Sequence, residues 1–487
     1  MGCARHRPLP RRPRSPRPRR PGDDGGRAPM KLPATIFREY DIRGTVGEQL
    51  TPEVARAIGQ AVGTFAWERL ERAPRFAVGR DNRPSGAGFA HAVLSGIEAV
   101  GGHAVDVGEL PTPALYFATH VLNVDGGIQV TGSHNPPEFN GFKLVLDGEG
   151  IYGQDIQVLR RLIDEGRTPG RPGGGRSEER SVLPRYRDAI VQRNGPLARP
   201  VKAVVDCGNG VASLVAVDTL QQLGAQVVPL FCQSDGTFPN HHPDPTVPEN
   251  LRDLQAAVRR EGAELGIAFD GDGDRIGAVD EQGRPVFGDT LLVLFGRDLA
   301  QRMGRGHAVI FDVKCSEVLP RELARAGLEP TMWKTGHSLI KQKMKETGAP
   351  LAGEMSGHMF FGGDWYGFDD ALFGAARLLR YVAQQGGPLS RLLADLPATV
   401  STPEMRVDCA DDRKFDIVRR AAGHFAAKYP VSTLDGVRIT FAQGWGLLRA
   451  SNTQPALVLR FEAATAPELA AYRTEVETWL AAETRPV

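Results

Sequence analysis

The sequence predicts a multidomain α/β protein, and three observations carry that reading. Strand-like and helix-like segments alternate along the chain, which implies mostly parallel sheets covered by helices. At 487 residues the chain exceeds what one core usually holds, so three or four domains are expected. An apolar content of 41% with 57 glycines and 36 prolines suits a soluble, loop-rich chain. No apolar run approaches the roughly 20 residues that cross a bilayer. Cys3, Cys207, Cys232, Cys315 and Cys409 are scattered without C-x-x-C spacing. That pattern predicts reduced thiols in a cytoplasmic protein, not disulfides or zinc.

Charge is unevenly spread. The net charge is +1, yet residues 1–29 set nine arginines against Asp23 and Asp24, a balance of +7 that leaves −6 for the rest. This opening is dense in proline, has almost nothing apolar to bury and is expected to be disordered. It lacks the apolar stretch of a signal peptide. An arginine-rich tail can touch nucleic acid or acidic surfaces. The simpler reading, a mis-called start with synthesis beginning at Met30, is preferred.

From Met30 the chain is taken in order. Phe37-Arg38-Glu39-Tyr40-Asp41-Ile42-Arg43-Gly44 makes a polar loop able to bind an anion or to form surface ion pairs. Thr51-Pro52-Glu53 starts a helix, a capping hydroxyl followed by proline at the first helical position, and the helix runs over 55–70. A short strand at 76–78 ends in Gly79-Arg80-Asp81-Asn82-Arg83. A helix (87–100) and a strand (104–107) follow. A β-favouring approach at 127–130 then enters Thr131-Gly132-Ser133-His134-Asn135-Pro136-Pro137, where Asn and Pro favour a tight turn. The turn lifts the Ser133 hydroxyl off a strand end beside His134, and a strand-like run at 142–146 returns Lys143 toward it. A hydroxyl exposed near a base and a cation suits a covalent nucleophile or phosphate carrier, although most such turns are only turns.

Gly and Pro density at 166–175 marks a linker. A second α/β unit opens with a strand at 201–205 and a Gly-rich βα turn, Asp206-Cys207-Gly208-Asn209-Gly210. Asp270-Gly271-Asp272-Gly273-Asp274-Arg275 then lies between two apolar strands. Glycine between the aspartates lets the carboxylates converge, and three like charges this close call for a hard divalent cation. An EF-hand competes, with Glu281 at its twelfth position. However, Arg275 stands at the sixth, where glycine is required, and the flanks read as strands. Three carboxylates leave the ion's shell incomplete, which suits a metal that also takes a phosphate oxygen.

The third unit, 288–396, holds Lys314 at a strand end, His337 at a helix start, and the polar loop Gly353-Glu354-Met355-Ser356-Gly357-His358. Such a loop can bind vicinal hydroxyls, or be an ordinary polar turn. The fourth region, from Pro397, carries Arg449-Ala450-Ser451-Asn452-Thr453 before a strand at 456–461. Its arginine, hydroxyls and amides suit a phosphate cradle, or a Ser/Asn turn between strands.

Taken together these loops describe metal-assisted phosphoryl transfer to a hydroxylated substrate. The ordered set TGSHNP with NGFK, DGDGDR, GEMSGH and RASNT resembles the α-D-phosphohexomutases, in particular the bacterial phosphomannomutase/phosphoglucomutase branch, over essentially all of 30–487. The resemblance implies three related α/β domains (30–178, 179–284, 285–397) and a smaller C-terminal α+β domain (398–487) around a central cleft. It implies a phosphoserine at Ser133 and Mg²⁺ on Asp270, Asp272 and Asp274, with the Ser133 phosphate as a further ligand and Arg275 beside it. Arg43, Lys143 and His358 match positions used for proton transfer or its support, and the sequence does not choose among them. Glu354 and Ser356 match the grip on the sugar's 3- and 4-hydroxyls. Arg449, Ser451, Asn452 and Thr453 match the site for the non-reacting phosphate, and Tyr40, Lys314 and His337 match other ligand contacts. Glu39 is expected to point away from the phosphate.

The activity implied is reversible phosphoryl transfer between C1 and C6 of mannose and glucose phosphates. Phospho-Ser133 carries the group, and glucose 1,6-bisphosphate serves as activator and intermediate. A monomer is expected, with hexose phosphates as partners, and neither membrane nor nucleic acid for the folded domains. A phosphoglucosamine mutase is the alternative within the class, although Met355 stands where that branch typically has Gln. A non-catalytic phosphosugar- or metal-binding protein is the alternative outside it.

Overall fold

The computed structural model describes residues 30–169, 175–452 and 454–484, in four sheets with flanking helices. Residues 1–29, 170–174 within the 166–175 linker, Thr453 and 485–487 lie outside the described residues.

The first three sheets share one design. In the first, Arg75–Arg80 pairs in parallel with His103–Glu109 and Gly126–Val130. Gly126–Val130 then turns back into the antiparallel strand Phe139–Leu146. In the second, Lys202–Asp206 and Leu265–Phe269 are parallel, and Leu265–Phe269 turns back into Ile276–Asp280. In the third, Ala308–Asp312 and Leu351–Gly353 are parallel, and Leu351–Gly353 turns back into Met359–Phe361. The sheets are therefore mixed: the expected parallel strands, with an antiparallel return toward one edge of each. The physical reason is connection length: a parallel return needs a crossover of a dozen or more residues, and these loops are shorter. Each hairpin loop leaves the C-terminal end of a parallel strand, where open α/β sheets hold their ligands. The three loops are those of Ser133, Asp270 and Glu354.

The fourth sheet is antiparallel throughout, ordered Val400–Ser401, Ala456–Ala463, Gly444–Ala450, Val437–Phe441, Val431–Ser432. Of the cradle residues, Arg449 lies near the end of the strand Gly444–Ala450, and Ser451 and Asn452 follow it before Ala456–Ala463.

The helix Pro52–Leu70 begins as read, with Thr51 Oγ1 accepting the N–H of Val54. It crosses Gly86–Ala99 closely enough that a Cβ at Gly59 would stand 2.4 Å from the carbonyl oxygen of Val93. One buried apolar cluster runs from Ala77 through Phe269 to Leu389, so the first three units pack as one body. The fourth keeps its own core around Phe425, Leu457 and Phe461. Among the described residues no helix is long and apolar enough to cross a membrane.

Candidate active site

All four units face a cleft of about 690 Å³, within the usual range for small-molecule sites. It is lined by Tyr40, Arg43, Ser133 and Lys143 from the first unit, and by Arg275 from the second. Lys314, His337, Glu354, Ser356 and His358 come from the third, and Arg449, Ser451 and Asn452 from the fourth. Asp270, Asp272 and Asp274 lie behind Ser133 and Lys143. Of the residues expected here, Thr453 alone lies outside the described residues. Glu39 does not line the cleft.

Ser133 is 2% exposed and held at φ +51°, a left-handed backbone that an L-residue rarely adopts. Its Oγ lies 3.1 Å from His134 Nδ1 and 3.3 Å from Asp270 Oδ2. Burial, and after it the charges of Arg275 and Arg43, hold His134 well below the usual histidine range, so a neutral imidazole neighbours the hydroxyl.

The aspartate loop is fully buried. Asp270 Oδ1 accepts the N–H groups of Asp274 at 3.0 Å and Arg275 at 3.1 Å. Asp272 Oδ2 accepts Thr112 Oγ1 at 2.5 Å and Lys143 Nζ at 2.7 Å, and Lys143 also pairs with Asp274. Asp272 Oδ1 and Asp274 Oδ1 are buried without a hydrogen-bond partner. Carboxylate oxygens of the three aspartates lie within 4.8 Å of one another. Burial and the charges of Asp274 and Asp272 push Asp270 well above the ordinary carboxylate range. Orphaned, converging hard oxygens beside a strained hydroxyl fit a divalent metal ion.

The third loop is fastened to the second. The N–H of Ile276 donates to the carbonyl of Gly357 at 3.0 Å, and Arg275 Nε donates to His358 Nε2 at 3.0 Å. Gly357 is at φ +94°, and a Cβ there would stand 2.4 Å from the carbonyl oxygen of Ile276. On its other side His358 Nδ1 lies 3.0 Å from Asp369 Oδ2. Glu354, 2% exposed, accepts the N–H of Gly336 at 2.6 Å. Burial raises its carboxyl, an effect that His358 and Lys314 oppose. Burial, then Lys341, keeps His337 well below the usual range.

Lys314 pairs with Glu404 at 3.2 Å. Burial works to strip its proton, and the carboxylates of Glu404, Asp312 and Glu354 outweigh that and raise it. Arg449 pairs with Asp435 at 3.1 Å. Asn452 Nδ2 donates to the Tyr40 hydroxyl at 2.7 Å, which itself donates to the carbonyl of Thr335 at 2.8 Å. That chain joins the fourth, first and third units across the cleft.

Sequence reasoning missed several lining residues. Asp244 and 246–249, from a His/Asp/Pro-dense stretch, form one wall, and Glu404, Arg406 and Arg460 form another. The dense polar stretch was a usable signal. The lone charges on strands of the fourth unit were not.

Models of the phosphoglucomutase/phosphomannomutase family match in sequence order. The α/β/α domains I, II and III match residues 34–168, 184–283 and 287–400, and the C-terminal domain matches 404–478. A phosphomannomutase/phosphoglucomutase of Pseudomonas aeruginosa is 49% identical over 448 residues, 91% of this chain and 95% of its own. A phosphoglucomutase of Neisseria gonorrhoeae is 43% identical, covering 88% and 93%. The crystal structure of a phosphoglucomutase/phosphomannomutase family protein from Burkholderia thailandensis superposes with a TM-score of 0.85 at 45% identity, covering 94% of this chain and 99% of that one. Identity near one half, sustained across four domains whose loops meet in one cleft, places the protein: the chain belongs to the phosphoglucomutase/phosphomannomutase family.

Proposed function

We propose that the chain moves a phosphoryl group reversibly between C1 and C6 of mannose and glucose phosphates, through phospho-Ser133 and a hexose 1,6-bisphosphate. The observation that carries the reading is that the strained Ser133 hydroxyl and the Arg449 cradle face one cleft, with the aspartate loop directly behind Ser133. Phosphoryl transfer asks the protein mainly for positioning and charge neutralisation.

Each residue then has a part. Ser133 carries the phosphoryl group. Arg275 and Lys143 neutralise it, with Lys143 held as an ammonium by Asp272 and Asp274, which outweigh its burial. Glu354 and Ser356 grip the hydroxyls common to both orientations of the sugar, and His337 and Tyr40 pack beside them. Lys314 contacts the ligand from the third unit. Arg449, Ser451, Asn452 and Thr453 hold the phosphate that is not reacting. Asp270, Asp272 and Asp274 would hold Mg²⁺, which when bound draws charge from the phosphoryl group.

All three candidates for proton transfer are engaged, His358 between Arg275 and Asp369, and His358 is taken first because an imidazole is the group suited to proton transfer near neutral pH. Lys143 is committed to two carboxylates, and Arg43 is paired with Asp41 at 2.6 Å. The bisphosphate turns over inside the cleft and returns its other phosphate to Ser133. Exclusion of water keeps the phosphoenzyme from hydrolysis. Every wall comes from one chain, so a monomer suffices. The described cysteines form no disulfide, which suits the cytoplasm.

The test is conversion of mannose 1-phosphate and glucose 1-phosphate to their 6-phosphates with Mg²⁺, with and without glucose 1,6-bisphosphate. Turnover of both sugars, primed by the bisphosphate and abolished in Ser133→Ala, is expected. Turnover of glucosamine 1-phosphate alone would move the chain to that specificity. Near-normal activity in Ser133→Ala would sink the phosphoserine.

A further inference from the structure

The strand Arg75–Arg80 runs into Asp81-Asn82-Arg83, a polar run to which the proposed reaction gives no part. Arg83 is 2% exposed, and its guanidinium gathers the backbone of the Ser133 loop. One terminal nitrogen donates to the carbonyls of Ser133 at 2.8 Å and Asn135 at 2.5 Å. The other donates to those of Pro136 at 2.5 Å and Phe139 at 2.9 Å. Its Nε donates to Asp81 Oδ2 at 3.1 Å. That carboxylate oxygen also accepts the N–H of Gly132 at 3.1 Å and the Thr131 hydroxyl at 2.8 Å. Thr131 Oγ1 in turn accepts the N–H of Ser133 at 2.8 Å. Both faces of the turn thus end on two side chains from one strand end.

Ser133 needs such a frame. A left-handed backbone at a residue with a side chain persists only where its surroundings over-determine it. A guanidinium suits the task because its planar fork carries five donors and stays charged, whereas an ammonium has three and no fixed plane. The fit leaves no slack, since a Cβ added at Gly132 would stand 2.4 Å from Arg83 Cζ. The second unit closes the frame from behind: Asn82 Nδ2 donates to the carbonyl of Asn209 at 2.7 Å, and Arg83 lies 5.3 Å from the centre of the Phe238 ring. Arg83 does not line the cleft.

We propose that Arg83, braced by Asp81, is the positioning residue for Ser133. It draws the loop's carbonyl oxygens inward, away from an incoming phosphate, and aims the hydroxyl at the aspartate loop. Arg83 touches no substrate and acts only through Ser133. The proposal rests on Ser133 as the phosphoryl carrier.

The test compares Arg83→Met and Arg83→Lys in the full chain. Kinetics on glucose 1-phosphate at saturating glucose 1,6-bisphosphate are paired with hydrogen–deuterium exchange over 131–139. Because a misplacement of about 1 Å costs on the order of a hundredfold, kcat of Arg83→Met should fall about that far. KM should stay within about threefold, since the loops of Glu354 and Arg449 are built elsewhere. Exchange should quicken over 131–139 and not over 354–358. Arg83→Lys should recover part of kcat, having kept some of the four carbonyls. If Arg83→Met does not fold, the same split in Arg83→Lys decides. A folded variant with wild-type kcat, or with kcat kept and KM raised, overturns the proposal. Wild-type protein inactive on every hexose phosphate would overturn the mutase reading instead, and exchange over 131–139 would then decide whether Arg83 fixes the loop.

Discussion

Lys143 and the three aspartates of the second hairpin set one another's charge. Burial alone would drive the proton off Lys143, yet Asp272 and Asp274 hold it well above the ordinary lysine range. In return Lys143 is the main cause that overcomes burial at Asp272 and holds it far below the usual carboxylate range. Asp270 has no ion pair with Lys143 and is pushed the opposite way. The ammonium therefore stands in part for the cation that the proposed reaction assigns to the loop. Lys143→Met should leave two buried carboxylates unpaired, a change that costs about 3–5 kcal/mol. Thermal melts of wild type and variant, in chelator and in Mg²⁺, test this. The variant should lose most in chelator and gain more from Mg²⁺ than wild type does. Equal gains in both would show that Lys143 and the metal do not share these oxygens. Loss of turnover on the same substitution would speak only to its second part beside the phosphate.

The helix Ala371–Gln385 is the element that carries the floor of the third unit, and Asp370 caps it. Its carboxylate accepts the N–H of Phe373 and the Tyr186 hydroxyl at 2.8 Å and Trp365 Nε1 at 2.9 Å. Burial nevertheless wins and pushes its pKa from 3.8 up to about 6. The folded state thus keeps, between about pH 4 and 6, a proton that the unfolded chain releases. Stability from this group is full below pH 4 and is lost as pH rises through about 6, amounting to about 3 kcal/mol. Asp370→Asn is neutral throughout, so wild-type Tm should fall relative to the variant across that window. Melting curves for the two that run parallel from pH 4 to 6.5 would contradict the assignment.

The runs around Ser133, Asp270, Glu354 and Arg449 were legible in the sequence because each gathers its polar groups in one contiguous stretch at a hairpin. What braces them was not. Arg83 and Ser133 are 50 residues apart, Arg460 and Lys314 are 146 apart, and no local period links either pair. The antiparallel direction of the hairpins was not legible either, because strand propensity carries no direction. Direction follows from loop length and from which strand edge is free.

At the scale of the whole molecule, the fourth unit is tied to the third by arginines on its sheet. Arg438 stacks 3.7 Å from the centre of the Trp445 ring and donates to the carbonyl of Cys315 at 3.1 Å. Arg460 donates to the carbonyl of Lys314 and to Asp289. These contacts set the Lys314 loop, whereas closure toward the first unit runs through the Tyr40 hydroxyl and, nearer the surface, through Arg38, which pairs with Asp411 at 3.4 Å. Burial, first of all, holds Tyr40 above the ordinary phenol range, so it stays a donor to Thr335 while it accepts from Asn452. Two neutral hydrogen bonds of about 0.5–1.5 kcal/mol each meet there. Tyr40→Phe removes both and keeps the ring. A cleft held less firmly shut should release the bisphosphate before it has turned over, because the reaction needs closure to outlast the reorientation. The variant should therefore depend on added glucose 1,6-bisphosphate about tenfold more than wild type, with turnover largely restored when the bisphosphate is saturating. Steady-state assays across a bisphosphate series read this directly. An unchanged requirement, with KM for the hexose 1-phosphate raised instead, would make Tyr40 a ligand contact and not the clasp between units.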